Sequence, residues 1–335
     1  MDIRYFPDAP PPGWPLPIAA LGNFDGVHRG HQELIDGVRR RAAERGGTSV
    51  VMIFDPHPPQ VLRPDKAPPL LMTLEQKLTA FERAGLGGVA IVRFTHELSR
   101  WEPETFVERV LIDWLRVAEV WVGENFLFGR DRTGTFTLMR ALGEDKGFRT
   151  EKIDPVFYKD FVVSSTRIRR LIGEGRVDES AALLGHHYVV EGLVVRGDGR
   201  GRQLGIPTAN IEPDNALLPA PGVYATRAQV VRGAQVHRVH QVHQVQEGPK
   251  PDGPDGPDGP EWFPAVTSVG VRPTIGDGRF TVETFLLDGV HELYGTRLRV
   301  AFVKRLREQR KFDDLAGLSA QMVADCDEAR KVLSS

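Results

Sequence analysis

Hydrophobic positions in the first half of the chain alternate between two periods. Short apolar, β-branched runs are typical of buried parallel strands, and they recur at Pro17–Leu21, Thr48–Phe54, Gly88–Phe94 and Ala118–Gly123. Between these runs, apolar residues recur at helical spacing, as in Gln32–Arg45. This alternation predicts an α/β fold with a doubly wound parallel sheet, in which ligands bind at the carboxyl ends of the strands.

The hydrophobic period changes after about residue 186. Beyond this point, strand-like runs are separated by turns, which predicts a small antiparallel barrel or sandwich. One further helix is predicted from about Asp313 to Val332. We therefore expect two domains, residues 1–185 and residues 186–335.

One segment fits neither domain. Residues 238–260 repeat Val-His-Gln and then Pro-Asp-Gly, a composition that buries too little apolar surface to order a chain. We expect a disordered insertion there, within a hairpin of the second domain. The nearby His237, His240 and His243 could bind a metal at their spacing, but repeat expansion accounts for them more simply.

Composition and charge narrow the function classes. The chain has 335 residues and a net charge of −2, from 43 basic and 45 acidic residues, so no strongly basic surface is expected to recruit nucleic acid or a membrane. The single cysteine, Cys326, excludes a disulfide framework and fits a reducing compartment. No run is apolar enough to span a bilayer, and residues 1–17 lack the apolar core of a signal peptide. We expect a cytoplasmic protein.

The motif with the clearest chemistry is GNFDGVHRGH, residues Gly22–His31, which follows the first predicted strand and leads into a helix. A helix N-terminus offers free N–H groups to an anion, and His28 and His31 are spaced to donate together to phosphate oxygens. The motif matches neither the dinucleotide fingerprint nor the P-loop. A phosphate site, a metal site with Asp25 as a third ligand, and an ordinary turn therefore all remain open.

Three later loops could meet this motif at the same edge of the sheet. Each follows a predicted strand or leads into a predicted helix, and each carries residues able to bind an anion. These residues are His57 and Arg63; Asn125, Arg130 and Arg132; and Ser164, Ser165, Thr166, Arg167 and Arg169. A helix cap is the structural alternative for Ser165, and a solvated surface is the alternative for Arg130 and Arg132.

In this order, GNFDGVHRGH, FDPHP, VGENFLFG and SSTRIR resemble the adenylyltransferase module of bacterial bifunctional riboflavin kinase/FAD synthetases, which are H-x-G-H nucleotidyltransferases. The resemblance implies a Rossmann-like domain in which the FMN phosphate attacks the α-phosphorus of ATP, giving FAD and pyrophosphate. It places His28 and His31 in catalysis, at the ATP phosphates, and Asn125 and His57 at the flavin and its phosphate. The implied ATP site consists of Gly22, Phe24, Asp25, His28, His31, Ser165, Thr166 and Arg169.

Two features of the second half carry chemistry of their own. Val194–Ile211 is a basic, glycine-rich loop that suits close approach to phosphates, and Thr208 and Asn210 offer the hard oxygens that Mg²⁺ accepts. A glycine-rich hairpin without a ligand is the alternative. Glu283 lies in a predicted strand, where a carboxylate either faces water or serves as a general base.

This half resembles the riboflavin kinase module of the same family, most specifically through Pro-Thr-Ala-Asn at 207–210. The resemblance implies a six-stranded barrel with a C-terminal helix, Glu283 as the base that activates the ribityl 5′-hydroxyl, and Arg307 at the flavin. Ser268 departs from the asparagine usual in the family, and the insertion is not a recognised family feature. The implied ATP site consists of Gly197, Gly199, Gly201, Thr208 and Asn210, with Mg²⁺ at Thr208 and Asn210.

The expected function is phosphorylation of riboflavin to FMN by the second domain and adenylylation of FMN to FAD by the first. The expected partners are riboflavin, FMN and ATP with Mg²⁺, and neither nucleic acid nor a membrane; the oligomeric state is left open. A single-activity H-x-G-H adenylyltransferase and a flavin-binding regulator are the alternatives. The presence of His28, His31 and Glu283 favours catalysis, and the absence of a Lys-Met-Ser-Lys-Ser-like loop disfavours an aminoacyl-tRNA synthetase.

Overall fold

The computed structural model describes residues 1–196, 208–231, 262–271, 280–287, 293–312 and 314–334. The chain divides into two compact units, Met1–Ile168 with Leu183–Gly185 and Arg169–Ala182 with His186–Ser335. The predicted insertion at 238–260 lies outside the described residues, as do the predicted ATP-binding glycines Gly197, Gly199 and Gly201. No helix within the described ranges is both long enough and apolar enough to cross a membrane.

Strands of the first unit form one parallel sheet. They are β1 (Asp2–Phe6), β2 (Pro17–Leu21), β3 (Thr48–Asp55), β4 (Gly88–Arg93), β5 (Glu119–Gly123) and β6 (Arg149–Ile153). The order is β1-β4-β3-β2-β5-β6, with every neighbouring pair parallel, which confirms the predicted α/β class. The four central strands are those that the pattern predicted. The edge strands β1 and β6 carry charged, partly exposed residues, so they do not stand out as apolar runs.

Helices α1 (Arg29–Arg45) and α3 (Leu74–Arg83) pack on one face of this sheet, and α4 (Pro103–Phe106) and α5 (Phe136–Lys146) pack on the other. The chain also forms α2 (Pro58–Leu62), α6 (Ser165–Gly173) and α7 (Val177–Leu184) before the barrel begins. A π-helical segment, Val107–Trp114, continues α4. On β2, Ala19 and Leu21 pack into one apolar layer and Ile18 and Ala20 into the other. Because both faces are buried, the strands have continuous apolar sequences.

Local signals set several helix ends. A capping box starts α3, with Thr73 Oγ1 accepting from the N–H of Gln76 at 3.2 Å. Helix α1 ends at Gly46, which adopts a left-handed conformation with φ +62°. A short hairpin, β7 (Phe157–Tyr158) and β8 (Phe161–Val162), precedes α6.

The second unit contains a closed antiparallel barrel. Its strands are β9 (Tyr188–Val195), β10 (Ala209–Pro213), β11 (Gly222–Val231), β12 (Phe263–Val271), β13 (Phe280–Leu286) and β14 (Arg297–Arg307). Their order around the barrel is β10-β13-β12-β11-β14-β9, which confirms the expected six-stranded barrel. The predicted last helix is α8 (Leu315–Ser334).

The two faces of the barrel strands have different neighbours. Thr226, Thr267 and Thr284 are buried on one face, and their hydroxyls form a row with O–O distances of 2.8 and 3.0 Å. On the other face, which we call the outer face, Ala225 packs with Cys326 of α8. Cys326 is therefore a buried packing residue.

Candidate functional site

The loop between β2 and α1 brings His28 and His31 together. His28 is the N-cap of α1, and its carbonyl oxygen accepts from the N–H groups of His31 (2.7 Å) and Gln32 (2.9 Å). The two imidazole rings stack, with centroids 3.6 Å apart and planes inclined at 13°. The buried Nδ1 of His31 has no hydrogen-bond partner within the described part of the chain. The three-residue spacing thus places both rings on one side of the helix N-terminus.

Burial holds the His31 ring in its neutral form. It lowers the pKa of His31 well below the ordinary value of 6.5, and the charges of His28 and Lys77 lower it further. A neutral imidazole keeps one N–H donor and one acceptor nitrogen. An anion beside the ring would favour the charged form and raise the pKa again. The pair is therefore suited to a negatively charged ligand.

Phe24 supports this pair from the core. Its φ of +48° lies in the left-handed region, which residues with side chains rarely adopt. The ring is fully buried, 5.0 Å from the His31 ring and 5.7 Å from the Phe81 ring on α3. Gly26 follows with φ +87°, and a Cβ there would lie 2.7 Å from Cδ1 of Leu71. Phe24 therefore positions His31 by packing.

Asp25 anchors the same loop. Its buried carboxylate accepts from the N–H of Leu71 at 3.0 and 3.1 Å and from the N–H of Met72 at 3.3 Å. Its carbonyl oxygen accepts from the Ser165 hydroxyl at 2.9 Å. Within the described ranges, no group of three or more His, Cys, Asp or Glu side chains could hold a metal ion. The contacts of Asp25 thus support loop shaping rather than the metal alternative.

The start of α6 joins this loop through Ser165. The cap position is occupied by Ser164, whose hydroxyl accepts from the N–H of Arg167 at 3.4 Å, so Ser165 is free to bond to Asp25 instead. Thr166 is exposed on the first turn of the helix. Arg169 lies one turn further along α6, in the part of the helix that belongs to the second unit.

His57 and Asn125 follow the two strands that flank β2. Leu21 at the end of β2 pairs with Met52 of β3 on one side and with Val122 of β5 on the other. His57 is 8 % exposed at the N-terminus of α2, and Asn125 is exposed just after β5. Because the strands are parallel, these loops follow the same edge of the sheet as the loop of His28 and His31.

The contacts of the basic residues in the loop after β5 give less support to an anion-binding role. Arg130 forms an ion pair with Glu102 at 2.7 Å, and both side chains are about half exposed. This contact supports the surface alternative for Arg130. Arg63 is also exposed, at the C-terminus of α2.

Lys77, which was not among the predicted site residues, is only 4 % exposed on the first turns of α3. Its charge acts on His31, and it also offsets the rise that burial causes in the pKa of Asp55, at the end of β3. The signal was present in the sequence, because Lys77 shares the apolar helical spacing of Leu78 and Phe81. A lysine at such a core position is unusual.

The barrel brings Asn210 and Glu283 side by side. Glu283 of β13 pairs in register with Asn210 of β10 on one side and with Ser268 of β12 on the other. Residues paired in register share a face, and Thr284 lies on the opposite, buried face. Asn210, Glu283 and Ser268 therefore form one row on the outer face. Thr208, the other predicted magnesium ligand, is partly buried and directly precedes β10.

Arg307 makes structural contacts. Its Nε and Nη2 donate to the two carboxylate oxygens of Asp325 at 2.8 and 2.7 Å, and Nη1 donates to the carbonyl of Glu308 at 2.9 Å. Asp325, on α8, is 6 % exposed, and Gln321 donates to it at 2.8 Å. The guanidinium thus ties α8 to the end of β14. The flavin contact that the resemblance implies for Arg307 stays a prediction.

Comparisons with known proteins match both halves of the chain. A family model described as FAD synthetase matches residues 15–167, and one described as riboflavin kinase matches residues 184–333. A solved structure from Streptococcus pneumoniae, described as a macrolide-efflux protein, has a TM-score of 0.80 at 25 % identity, covering 98 % of this chain and 99 % of its own. It shows that the complete architecture occurs in another protein.

Two relatives carry the same bifunctional description. The bifunctional riboflavin kinase/FMN adenylyltransferase of Pseudomonas fluorescens is 36 % identical, over 93 % of this chain and 92 % of its own. That of Escherichia coli K12 is 33 % identical, over 92 % of this chain and 90 % of its own. With both family models matched in order, the chain belongs to the family of bifunctional riboflavin kinase/FMN adenylyltransferases.

Proposed function

We propose that adenylylation of FMN takes place at the loop of His28 and His31, and that phosphorylation of riboflavin takes place on the outer face of the barrel at Glu283. The family has both activities, and both use ATP. The observation that carries the assignment is the register row in which Asn210 and Glu283 are neighbours. The stacked pair of the buried His28 and the partly buried His31 supports the first site.

In the first site, His28, His31 and the N–H groups at the start of α1 bind the phosphates of ATP. The ATP site is completed by Gly22, Phe24, Asp25, Ser165, Thr166 and Arg169, whereas Asn125 and His57 hold the FMN phosphate. An FMN phosphate oxygen attacks the α-phosphorus, and pyrophosphate leaves with the electron pair of the broken P–O bond. The side chains supply alignment and charge neutralisation, and no covalent enzyme intermediate is needed.

In the second site, Glu283 accepts the proton of the ribityl 5′-hydroxyl as its oxygen attacks the γ-phosphorus of ATP. ADP leaves, and FMN is formed. Gly197, Gly199 and Gly201 would supply backbone N–H groups to the ATP phosphates, and Arg307 would contact the flavin. The hydroxyl of Thr208 and the carboxamide oxygen of Asn210 are hard donors that fit Mg²⁺, which when bound neutralises phosphate charge.

The same proposal divides the chain at residues 1–185 and 186–335, one activity to each part. Its proposed substrates are riboflavin, FMN and ATP, its proposed location is the cytoplasm, and no nucleic-acid partner is proposed.

A time course of the reaction with riboflavin, ATP and Mg²⁺, in which the flavins are separated by chromatography, tests the proposal. We expect FMN first and FAD later. Conversion of supplied FMN to FAD without any FMN formed from riboflavin would contradict the proposed kinase site.

A further inference from the structure

The β7–β8 hairpin lies beside the histidine loop of the first unit. Its base is closed by the N–H of Val163, which donates to the carbonyl oxygen of Val156 at 2.9 Å. A Cβ at Gly30, on the first turn of α1, would lie 3.4 Å from Nδ1 and Cε1 of the His28 ring and 3.9 Å from Cβ of Val156. The start of the hairpin and the His28 ring are therefore both close to the same point at the start of α1.

Two aromatic rings of this hairpin contact arginines of two helices. Tyr158 of β7 and Phe161 of β8 are paired in register. The guanidinium carbon of Arg167, on α6, lies 3.6 Å from the centroid of the Phe161 ring. That of Arg29, the first residue of α1, lies 5.9 Å from the centroid of the Tyr158 ring. Because a cation over an aromatic ring is attracted to it, the hairpin links the first turns of α1 and α6.

The start of α6 is also bonded directly to the histidine loop. The hydroxyl of Ser165, two residues before Arg167, donates to the carbonyl oxygen of Asp25 at 2.9 Å. The backbone N–H of Arg167 donates to the hydroxyl oxygen of Ser164 at 3.4 Å. Arg167 therefore lies on the first turn of a helix whose start is fixed to the loop that carries His28.

The Arg167 guanidinium lies against a ring rather than a carboxylate. Among the residues that the structure describes, no carboxylate forms an ion pair with it. In contrast, Arg170 on the same helix is exposed and lies 3.8 Å from Glu174. An aromatic ring fixes the plane of a guanidinium and leaves its N–H groups for phosphate oxygens, which that planar group binds two at a time. Arg167 is thus an oriented cation next to a proposed phosphate site.

We propose that Arg167 binds the β- and γ-phosphates of ATP during adenylylation, and that Phe161 positions its guanidinium. An FMN phosphate oxygen forms a bond to the α-phosphorus, and the bond from that phosphorus to the oxygen bridging to the β-phosphate breaks. The electron pair stays on the bridging oxygen, so negative charge grows on the leaving pyrophosphate. A guanidinium held there neutralises this charge and keeps its proton at any working pH. This role rests on the proposed adenylylation site at His28 and His31.

The reverse reaction, in which FAD and pyrophosphate give FMN and ATP, tests the contact directly. We expect Arg167→Ala to raise the KM for pyrophosphate about tenfold or more, the scale of a hydrogen bond to a charged group, with the KM for FAD within about twofold. In the forward direction, kcat/KM for ATP should fall by a similar factor. Arg170→Ala is the matched control on the same helix and should retain the wild-type values.

Variants of Phe161 test the positioning. Phe161→Leu keeps an apolar side chain but removes the ring, so the KM for pyrophosphate should rise by a smaller factor, about threefold, whereas Phe161→Tyr should keep the wild-type value. The double variant of Phe161→Leu and Arg167→Ala should be no worse than Arg167→Ala, because the ring acts through the guanidinium. Phe157→Leu, at the hairpin phenylalanine that is 61 % exposed, is the control for loss of a ring.

An unchanged KM for pyrophosphate in folded Arg167→Ala, or a rise in the KM for FAD instead, would overturn the role of Arg167. Additive losses in the double variant would overturn positioning by Phe161. Arg167→Gln, which keeps a long polar side chain without the charge, replaces Arg167→Ala if thermal unfolding shows that the alanine variant does not fold. His31→Ala is assayed in parallel. If it forms FAD at the wild-type rate, the proposed adenylylation site is wrong; if it is inactive while Arg167→Ala is normal, only the role of Arg167 is wrong.

Discussion

The imidazole rings of His28 and His31 stack 3.6 Å apart at the N-terminus of α1. Two rings this close repel each other when both are protonated, and burial adds a further penalty for charge on His31. The free protein therefore holds His31 neutral beside the positive end of a helix. A ligand such as phosphate would bring negative charge to this helix N-terminus, as expected of a phosphate site.

This neutral histidine makes the first unit sensitive to acid. The pKa of His31 is lower in the folded chain than in the unfolded one, so the unfolded chain binds more protons between the two values. Its contribution to stability is complete above pH 6.5 and declines as the pH falls below that value. As the pH is lowered from about 7 to 5, we expect the free energy of unfolding to fall less in His31→Gln than in wild type.

Urea unfolding followed by tryptophan fluorescence measures this difference. Four of the five tryptophans, Trp14, Trp101, Trp114 and Trp121, lie in the first unit, so the signal reports mainly on that unit. Equal pH dependence in wild type and His31→Gln would contradict a neutral His31 in the folded chain.

Removing the Asp25 carboxylate should destabilise the loop. Asp25→Ala leaves the N–H groups of Leu71 and Met72 without their acceptor, at a cost of about 3 kcal/mol in the free energy of unfolding. We expect FAD formation to fall and FMN formation to persist. Asp36→Ala is the control, because Asp36 is exposed and its ion pair within the described residues is the surface contact with Arg39. A normal free energy of unfolding in Asp25→Ala would contradict the anchoring role.

The two roles considered for Arg307, an anchor for α8 and a flavin contact, predict different effects of Arg307→Ala. As an anchor, Arg307→Ala would leave the Asp325 carboxylate buried without its cation, lowering the free energy of unfolding by about 3 kcal/mol. As a flavin contact alone, it would raise the KM for riboflavin and leave stability unchanged. We expect the loss of stability, measured by thermal unfolding. Lys331→Ala, on an exposed part of α8, should unfold like wild type.

The proposed ligand Asn210 can be tested through its metal dependence. We expect Asn210→Ala to raise the Mg²⁺ concentration that gives half-maximal FMN formation by about tenfold or more. The Mg²⁺ dependence of FAD formation from FMN should not change, since that reaction is assigned to the other unit. Parallel shifts in both titrations would refute the assignment of Asn210 to the kinase site alone.

Much of the fold could be predicted from the sequence, because buried parallel strands have uninterrupted apolar runs. The central strands β2 to β5 follow from these runs. The capping box at Thr73 and the end of α1 at Gly46 follow from other local signals, a pair of polar residues three apart and a glycine. Edge strand β6 could not be found in this way, because its RTEKI sequence is dominated by polar residues. Its place depends on pairing with β5, a contact distant in sequence.

The site was only partly predictable for a similar reason. The proximity of His28 and His31 could be predicted because their spacing is local, whereas the neighbours of Glu283 depend on strand register. Likewise, nothing local indicates that Ser165 would bond to Asp25, 140 residues earlier, or that Asp325 would hold Arg307. Lys77 shares the apolar helical spacing of Leu78 and Phe81, a local signal, but its charge at His31 depends on how α3 packs.

The central claim is that the two activities use separate sites in one chain, and a pair of variants tests it most directly. Purified Glu283→Gln and His31→Ala are each given riboflavin, ATP and Mg²⁺, and separately FMN, ATP and Mg²⁺, and the flavins are separated by chromatography. We predict that Glu283→Gln makes no FMN but converts FMN to FAD at nearly the wild-type rate, and that His31→Ala accumulates FMN without FAD. Loss of both activities in either folded variant would contradict the two-site account.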